Sequence, residues 1–267
     1  MKNVIPFSKH TKLNDNLQYV RDALENGQTS GDGPFSKKAE KLLIKKLNTS
    51  GKIYLTTSCT HALEIAAILI NLKPGDEVIV PSYTFVTTAL AFYMHGAKII
   101  FSDIKYDTLN IDETKLEKLI TKKTKAIVTV HYAGVSCEMK EIMRLGKKYN
   151  LCIIEDNAHG LFGEYYGKKL GSIGHFATQS FHETKNISCG EGGALVLNDS
   201  KFYSRAEIIR EKGTNRSKFF RGEVDKYRWV DKGSSYVLSD ILSAVLLHQL
   251  KLSQKIQLKR KNIWDSY

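Results

Sequence analysis

Residues Lys125 to Gly160 read KAIVTVHYAGVSCEMKEIMRLGKKYNLCIIEDNAHG. The stretch opens on a β-branched apolar run, Lys125–Val130, and closes on a second one, Leu151–Glu155. Between them Glu138–Tyr149 carries apolar residues at helical spacing. A strand, a helix and a second strand in this order imply two parallel neighbours in one sheet. Working outward, the same alternation recurs. Further candidate strands are Lys52–Thr56, Glu77–Val80, Lys98–Phe101, Thr178–Phe181 and Ala194–Leu197. Candidate helices are Thr60–Ile70 and Asp112–Ile120, the second with an acidic first turn that suits the helix dipole. The turn KPGDE at Lys73–Glu77 punctuates a change from helix to strand. The expected fold is α/β: a mostly parallel seven-stranded sheet with helices on both faces. From Ser239 to Tyr267 the pattern reads as one long helix, with no Gly or Pro to stop it.

Bulk composition narrows the function classes. The chain has 267 residues, 42% hydrophobic and 25% charged, which is ordinary for a globular protein. The longest apolar stretch, Ala62–Leu72, is interrupted by Glu64 and Asn71 and is too short to cross a bilayer. The N-terminus MKNVIPFSKHTK has no apolar core of signal-peptide length, so a cytoplasmic location is expected. The net charge is +12. A polyanionic partner is one reading of that excess. A generally lysine-rich surface is the other, and it fits better, because pairs such as Lys37–Lys38, Lys122–Lys123 and Lys147–Lys148 are scattered rather than striped. Neither nucleic acid nor membrane is therefore expected as a partner. Cys59, Cys137, Cys152 and Cys189 include no pair at metal or redox spacing, and no metal is expected.

Doubly wound sheets bind ligands beyond the carboxyl ends of their strands. After the first strand comes Thr57-Ser58-Cys59-Thr60-His61, leading into a helix. Small residues and unbonded N–H groups there make a phosphate site, although Ser and Thr also serve as plain helix caps. After Leu151–Glu155 stands Asp156, either a cap for the next segment or a partner for a cationic ring nitrogen, with His159 three residues on. Lys185 follows the strand Thr178–Phe181 and precedes the glycine loop Cys189-Gly190-Glu191-Gly192-Gly193. A lysine near apolar surface and another cation loses its proton readily and can attack a carbonyl carbon. The glycine loop leads into a strand, not a helix, so it is not a dinucleotide-binding fingerprint. No GxxxxGK[ST] motif occurs.

The segments TTSCTHALEIAA, PSYTFVTTA, HYAGVSCEM, IIEDNAHG, SFHETKN, CGEGGALVLND, IREKGTNR and GSSYVLSDILSA together resemble the DegT/DnrJ/EryC1/StrS family. These are sugar aminotransferases that use pyridoxal 5'-phosphate (PLP) on an aspartate-aminotransferase-like, fold type I scaffold. The resemblance runs in one register from about Ile5 to the end. It implies that Lys185 is the lysine bonded to the cofactor and that Asp156 pairs with the pyridinium nitrogen. It places His159 near the ring's 3-oxygen and Phe85 on the ring face. Ser180 matches the phosphate-binding serine, and Cys59 and Thr60 match the phosphate-binding helix start, where many members have Gly-Thr. Ser235 falls where most members have an Asn that reaches the phosphate of the neighbouring subunit, which implies a homodimer with shared sites. Arg216 and Tyr227 lie where the family approaches its nucleotide-sugar. A related sugar 3-dehydratase has His in place of the lysine, and Lys185 argues against that activity.

The subgroup most resembled implies amino transfer from L-glutamate to C4 of dTDP-4-keto-6-deoxyglucose, giving dTDP-4-amino-4,6-dideoxygalactose for lipopolysaccharide or common-antigen synthesis. By the same resemblance, residues 1–12 form an N-terminal arm, 13–238 the large PLP-binding domain and 239–267 a linking helix. The family's smaller C-terminal domain is expected to be absent. A non-catalytic or truncated relative that binds PLP without turnover, or an aminotransferase acting on a different keto-sugar, is the alternative.

Overall fold

The computed structural model describes residues 16–267, so the arm at 1–12 lies outside the described residues. In chain order the elements begin α1 (Asn16–Glu25), α2 (Pro34–Leu47), β1 (Lys52–Thr56), α3 (Cys59–Leu69), β2 (Glu77–Pro81) and α4 (Val86–Tyr93). There follow β3 (Lys98–Ser102), α5 (Glu113–Leu116), β4 (Thr124–Val130), α6 (Met139–Tyr149) and β5 (Cys152–Asp156). A two-stranded ribbon, β6 (Glu164–Tyr165) and β7 (Lys168–Lys169), precedes β8 (Phe176–Ser180) and β9 (Gly193–Leu197). Helices α7 (Tyr203–Arg210), α8 (Arg216–Phe220), α9 (Asp240–Lys251) and α10 (Ser253–Trp264) complete the chain.

Seven strands form one sheet in the order β1-β9-β8-β5-β4-β2-β3. Neighbours pair in parallel except β9, which runs antiparallel to both β1 and β8. Alternate residues along each strand serve opposite faces, as pleating demands. Tyr54, Val78, Val80, Ala126, Val128 and Ile154 pack under one set of helices, which includes α3. Ile53 and Leu55 face the helices α2 and α9 on the other side, and Ile79, Ile127 and Ile153 face α6 there. Strand β8 starts and ends earlier than its apolar pattern predicts: Phe181 is fully buried but lies past the ladder.

The C-terminal stretch differs from the expected single helix. It is two helices meeting at Leu252, whose φ of −91° and ψ of 4° depart from helical values. Ser253, the first residue after the break, accepts a hydrogen bond from Lys46 Nζ at 2.6 Å, tying the joint to α2. The start of α9 is also anchored to α2. The Asp240 carboxylate accepts from Phe35 N–H at 3.1 Å and from Ser36 N–H and Oγ at 2.7 Å each, capping a helix that lacks its own side-chain cap.

Behind β1 lies a buried polar cluster. Leu55 N–H donates to Glu40 Oε1 at 3.1 Å, and Arg210 donates to the Leu55 carbonyl at 3.1 Å while pairing with Asp32. Burial pushes the Glu40 carboxyl up from 4.5 to about 7, against the opposing pull of Arg210. A carboxyl that holds its proton more tightly folded than unfolded stabilises the fold below the unfolded value. That contribution is lost as pH rises through the folded one. Stability is therefore expected to drop by about 3 kcal/mol between about pH 4.5 and pH 7 through this group alone. Urea unfolding of Glu40→Gln should show that slope flattened; an unchanged slope would place the effect elsewhere.

Candidate active site at the carboxyl edge of the sheet

The carboxyl ends of β1, β2, β4, β5 and β8 share one edge with the amino end of the reversed β9. Register brings distant residues side by side there. Gly193 pairs with Thr56 on one side and Ser180 on the other, and Asp156 pairs with Val130 and Thr178.

Asp156 ends β5 with only 4% of its surface exposed. A carboxylate in such a place needs partners. Oδ2 accepts from Thr88 Oγ1 at 2.7 Å, and Oδ1 accepts from Ala158 N–H at 3.2 Å. Thr84 Oγ1 donates in turn to Thr88 at 2.8 Å, so the first turn of α4 is aimed at this carboxylate. The Cys59 thiol donates to Thr178 Oγ1 at 3.3 Å and lies 4.0 Å from Asp156 Oδ1. Burial and the Asp156 charge raise the thiol well above its usual range, which keeps it neutral.

Lys185 projects from the loop between β8 and β9, its N–H bonded to the His182 carbonyl at 2.9 Å. Burial lowers its ammonium pKa, partly offset by Cys59 and Asp156. Lys185 and Asp156 thus lie within electrostatic reach of one another. His159 is drawn to the same place. Burial and then the Lys185 charge lower its pKa, with Asp156 opposing.

At the start of α3, Ser58 Oγ accepts from His61 N–H at 3.1 Å, and the Ser58 carbonyl accepts from Ala62 N–H at 3.2 Å. The N–H groups of Cys59 and Thr60 are left for an outside acceptor at the positive end of the helix. Gly193 makes this possible: a Cβ there would lie 2.4 Å from Cys59 N and 2.3 Å from the Ser58 carbonyl carbon. Two strands therefore converge beneath a helix start, where Ser180 is the register partner of Gly193. An anion carrying an aldehyde-bearing cationic ring suits this arrangement. The start of α3 would hold its phosphate, Lys185 would receive its aldehyde and Asp156 would face its ring nitrogen. The residues present fit PLP.

The remaining expected residues are dispersed. Phe85 is the N-cap residue of α4 and is 71% exposed. Ser235 lies on an exposed segment bridged to Glu211, with no hydrogen bond to the cradle. Arg216 opens α8, 3.7 Å from Glu211 and stacked on Phe220; Tyr227 is exposed. Among the described residues, no hydrogen bond or ion pair links either to Lys185 or Asp156. Thr88, Thr178 and Gly193 escaped the reading of the sequence. The i, i+4 spacing of Thr84 and Thr88 ahead of a helix was the one available signal for the first of them.

A mostly parallel sheet with one reversed strand, and this edge, are those of the PLP-dependent aminotransferases. The chain belongs to the DegT/DnrJ/EryC1/StrS aminotransferase family, whose model matches residues 11–267. It is 34% identical over 266 residues to the spore coat polysaccharide biosynthesis protein SpsC of Bacillus subtilis, covering 98% of this chain and 68% of SpsC. Among solved structures, Spr1654 of Streptococcus pneumoniae, described as a sugar aminotransferase in its PMP form, superposes with a TM-score of 0.89. Identity there is 30%, over 98% of this chain and 71% of the other. PseC of Helicobacter pylori, an aminotransferase involved in pseudoaminic acid biosynthesis, gives 0.85 at 32% identity, over 93% and 66%. The chain spans 61% to 68% of the length of the curated relatives it matches.

Proposed function

We propose that this protein transfers an amino group from L-glutamate to a nucleotide-linked 4-keto-6-deoxy sugar, with dTDP-4-keto-6-deoxyglucose as acceptor and dTDP-4-amino-4,6-dideoxygalactose as product. The observation that carries the reading is the half-buried Lys185 held in the field of Asp156 beside a helix start able to hold phosphate. PLP, when bound, supplies an aldehyde that captures amines and a ring that withdraws electrons from the adjacent carbon. Lys185 Nζ, its pKa lowered by burial, takes the proton from the α-carbon of glutamate and returns it on the cofactor side. Asp156, oriented by Thr88, would face the ring nitrogen and favour its positive form. The N–H groups of Cys59 and Thr60 and the Ser180 hydroxyl would bind the phosphate, and Phe85 would cover the ring. Two half-reactions share one site, so ping-pong kinetics are expected.

A homodimer suits the exposed residues. Val86, Leu90, Tyr93 and Met94 recur at helical spacing on α4, with Phe101 on the edge strand β3 beside them. In that assembly Ser235 would reach a neighbour's phosphate, and Arg216 and Tyr227 a neighbour's nucleotide-sugar. No helix among the described residues is long and apolar enough to cross a membrane. That accords with work on a nucleotide-sugar in the cytoplasm. The similarity to PseC and SpsC favours, as a second reading, the same chemistry on a different keto-sugar. Glutamate-dependent 2-oxoglutarate release, assayed in parallel with dTDP- and UDP-linked 4-keto sugars, separates the two. Turnover with the dTDP-sugar supports the first reading, and turnover with a UDP-sugar alone replaces it with the second.

A further inference from the structure

Three loops after neighbouring strands β2, β4 and β5 carry Tyr83, Tyr132 and His159. Their side chains form one stack. The Tyr83 and Tyr132 rings lie 4.7 Å apart with Tyr132 Oη donating to Tyr83 Oη at 3.1 Å, and the His159 ring meets Tyr132 nearly edge-on at 5.2 Å. Ala133, between them, adopts φ 51° and ψ 19°, the left-handed conformation that residues with a Cβ seldom take. Its N–H points at His159 Nδ1 at 3.3 Å.

That conformation is held from both sides. Asn110, 3% exposed, accepts from Tyr132 N–H at 3.0 Å and donates to the Val135 carbonyl at 3.0 Å. The turn itself closes through Gly134 N–H to the His131 carbonyl at 3.1 Å and Val135 N–H to the Tyr132 carbonyl at 2.9 Å. Left-handed strain at a non-glycine residue persists where the surroundings over-determine it, and such sites cluster where geometry serves function.

We infer that Asn110 and Ala133 are positioning residues that fix His159 as the neutral Nε2–H tautomer. A main-chain N–H can only be accepted by an unprotonated Nδ1, so the single imidazole proton must sit on Nε2. The ring then presents a hydrogen-bond donor, not an acceptor, beside Lys185 and Asp156. A donor there suits an anionic oxygen on a bound ring, the phenolate of a pyridoxal. Tyr132, which the imidazole meets nearly edge-on, packs beside the ring and hinders its turning over. The charged and titratable groups facing His159 are Lys185 on the β8–β9 loop, Asp156 at the end of β5 and Tyr132 beside it. This assignment concerns the protein's own tautomer, and its meaning for the cofactor rests on the function proposed above.

Two-bond nitrogen–proton correlation spectra of histidine-labelled protein without cofactor, with His159→Gln to assign the signal, read the tautomer directly. The expected result is a protonated Nε2 and a bare Nδ1 in the wild-type protein. Ala133→Gly retains both the N–H and the positive φ and should leave the pattern unchanged. Asn110→Ala releases the turn and should give mixed tautomers in protein whose circular dichroism is otherwise native. A wild-type Nδ1–H form overturns the inference, whether or not Asn110→Ala folds; so does an unmixed pattern in a folded Asn110→Ala. Reductive labelling of Lys185 by PLP is measured separately. An Nε2–H His159 in a protein that does not label Lys185 would sustain this inference and defeat the functional one.

Discussion

Lys185→Ala is expected to abolish transamination and the cofactor's visible absorbance together. Among the described residues, Lys185 alone combines burial, a lowered pKa and proximity to Asp156. Loss of the proton-transfer role by itself is worth roughly 10²–10⁴ in rate. Loss of the covalent attachment adds to this and removes the spectral band outright. Lys201 and Lys212 do not replace it, since they are exposed and paired with Asp199 and Glu211. Absorbance scans after incubation with PLP, run beside a glutamate half-reaction, check both effects. A variant that keeps either the band or the half-reaction would assign the chemistry to another residue.

Glu155→Ala is expected to be the most destabilising single change in the sheet. Glu155 is fully buried, one residue before Asp156 and on the opposite side of the strand. Its carboxylate accepts from Gly171 N–H at 2.8 Å, Ile173 N–H at 2.8 Å and Gly174 N–H at 2.6 Å. It also accepts from His131 Nε2 at 2.9 Å, while His131 Nδ1 is occupied by Cys137 N–H at 3.2 Å. Burial would raise this carboxyl; the hydrogen bond from His131 and those from the amide donors overcome that and leave it below the usual range. Truncation strands four buried donors at once. The cost is about 3–5 kcal/mol, by analogy with breaking a buried pair. That is a large share of the roughly 5–15 kcal/mol that holds a typical domain. Urea unfolding reads it directly. A loss under about 1 kcal/mol would mean that water reaches and satisfies the stranded groups.

Much of this architecture could be read from the chain because its elements repeat simple periods. The runs Lys52–Thr56 and Lys98–Phe101 are near-continuous apolar stretches bounded by turn residues, and they lie within the strands observed. Asp156 and Lys185 were legible for a different reason. Each follows a strand at the edge where this class of sheet binds ligands, and each sits within a motif of the family. What escaped was long-range pairing. Thr88 meets Asp156 across 68 residues, and Asn110 meets Val135 across 25, and nothing local marks either. The turn at Ala133 was equally hidden, because a left-handed alanine is imposed by its neighbours and not by its own preference. The joint at Leu252 carries no Gly or Pro, so a periodic apolar pattern runs through it unbroken. The ribbon at 164–169 is too short to show alternation; its Tyr166-Gly167 turn, with φ of 46° and 78°, was its only mark.

The central claim is that the amine of Lys185 bonds the aldehyde of PLP while Asp156 faces it. Borohydride reduction of the PLP-loaded protein, followed by proteolysis and mass mapping, measures that bond. One phosphopyridoxyl group on the peptide containing Lys185, absent from Lys185→Ala, is the expected result. A label confined to other lysines, or a loaded protein with Lys185 unmodified, would contradict it.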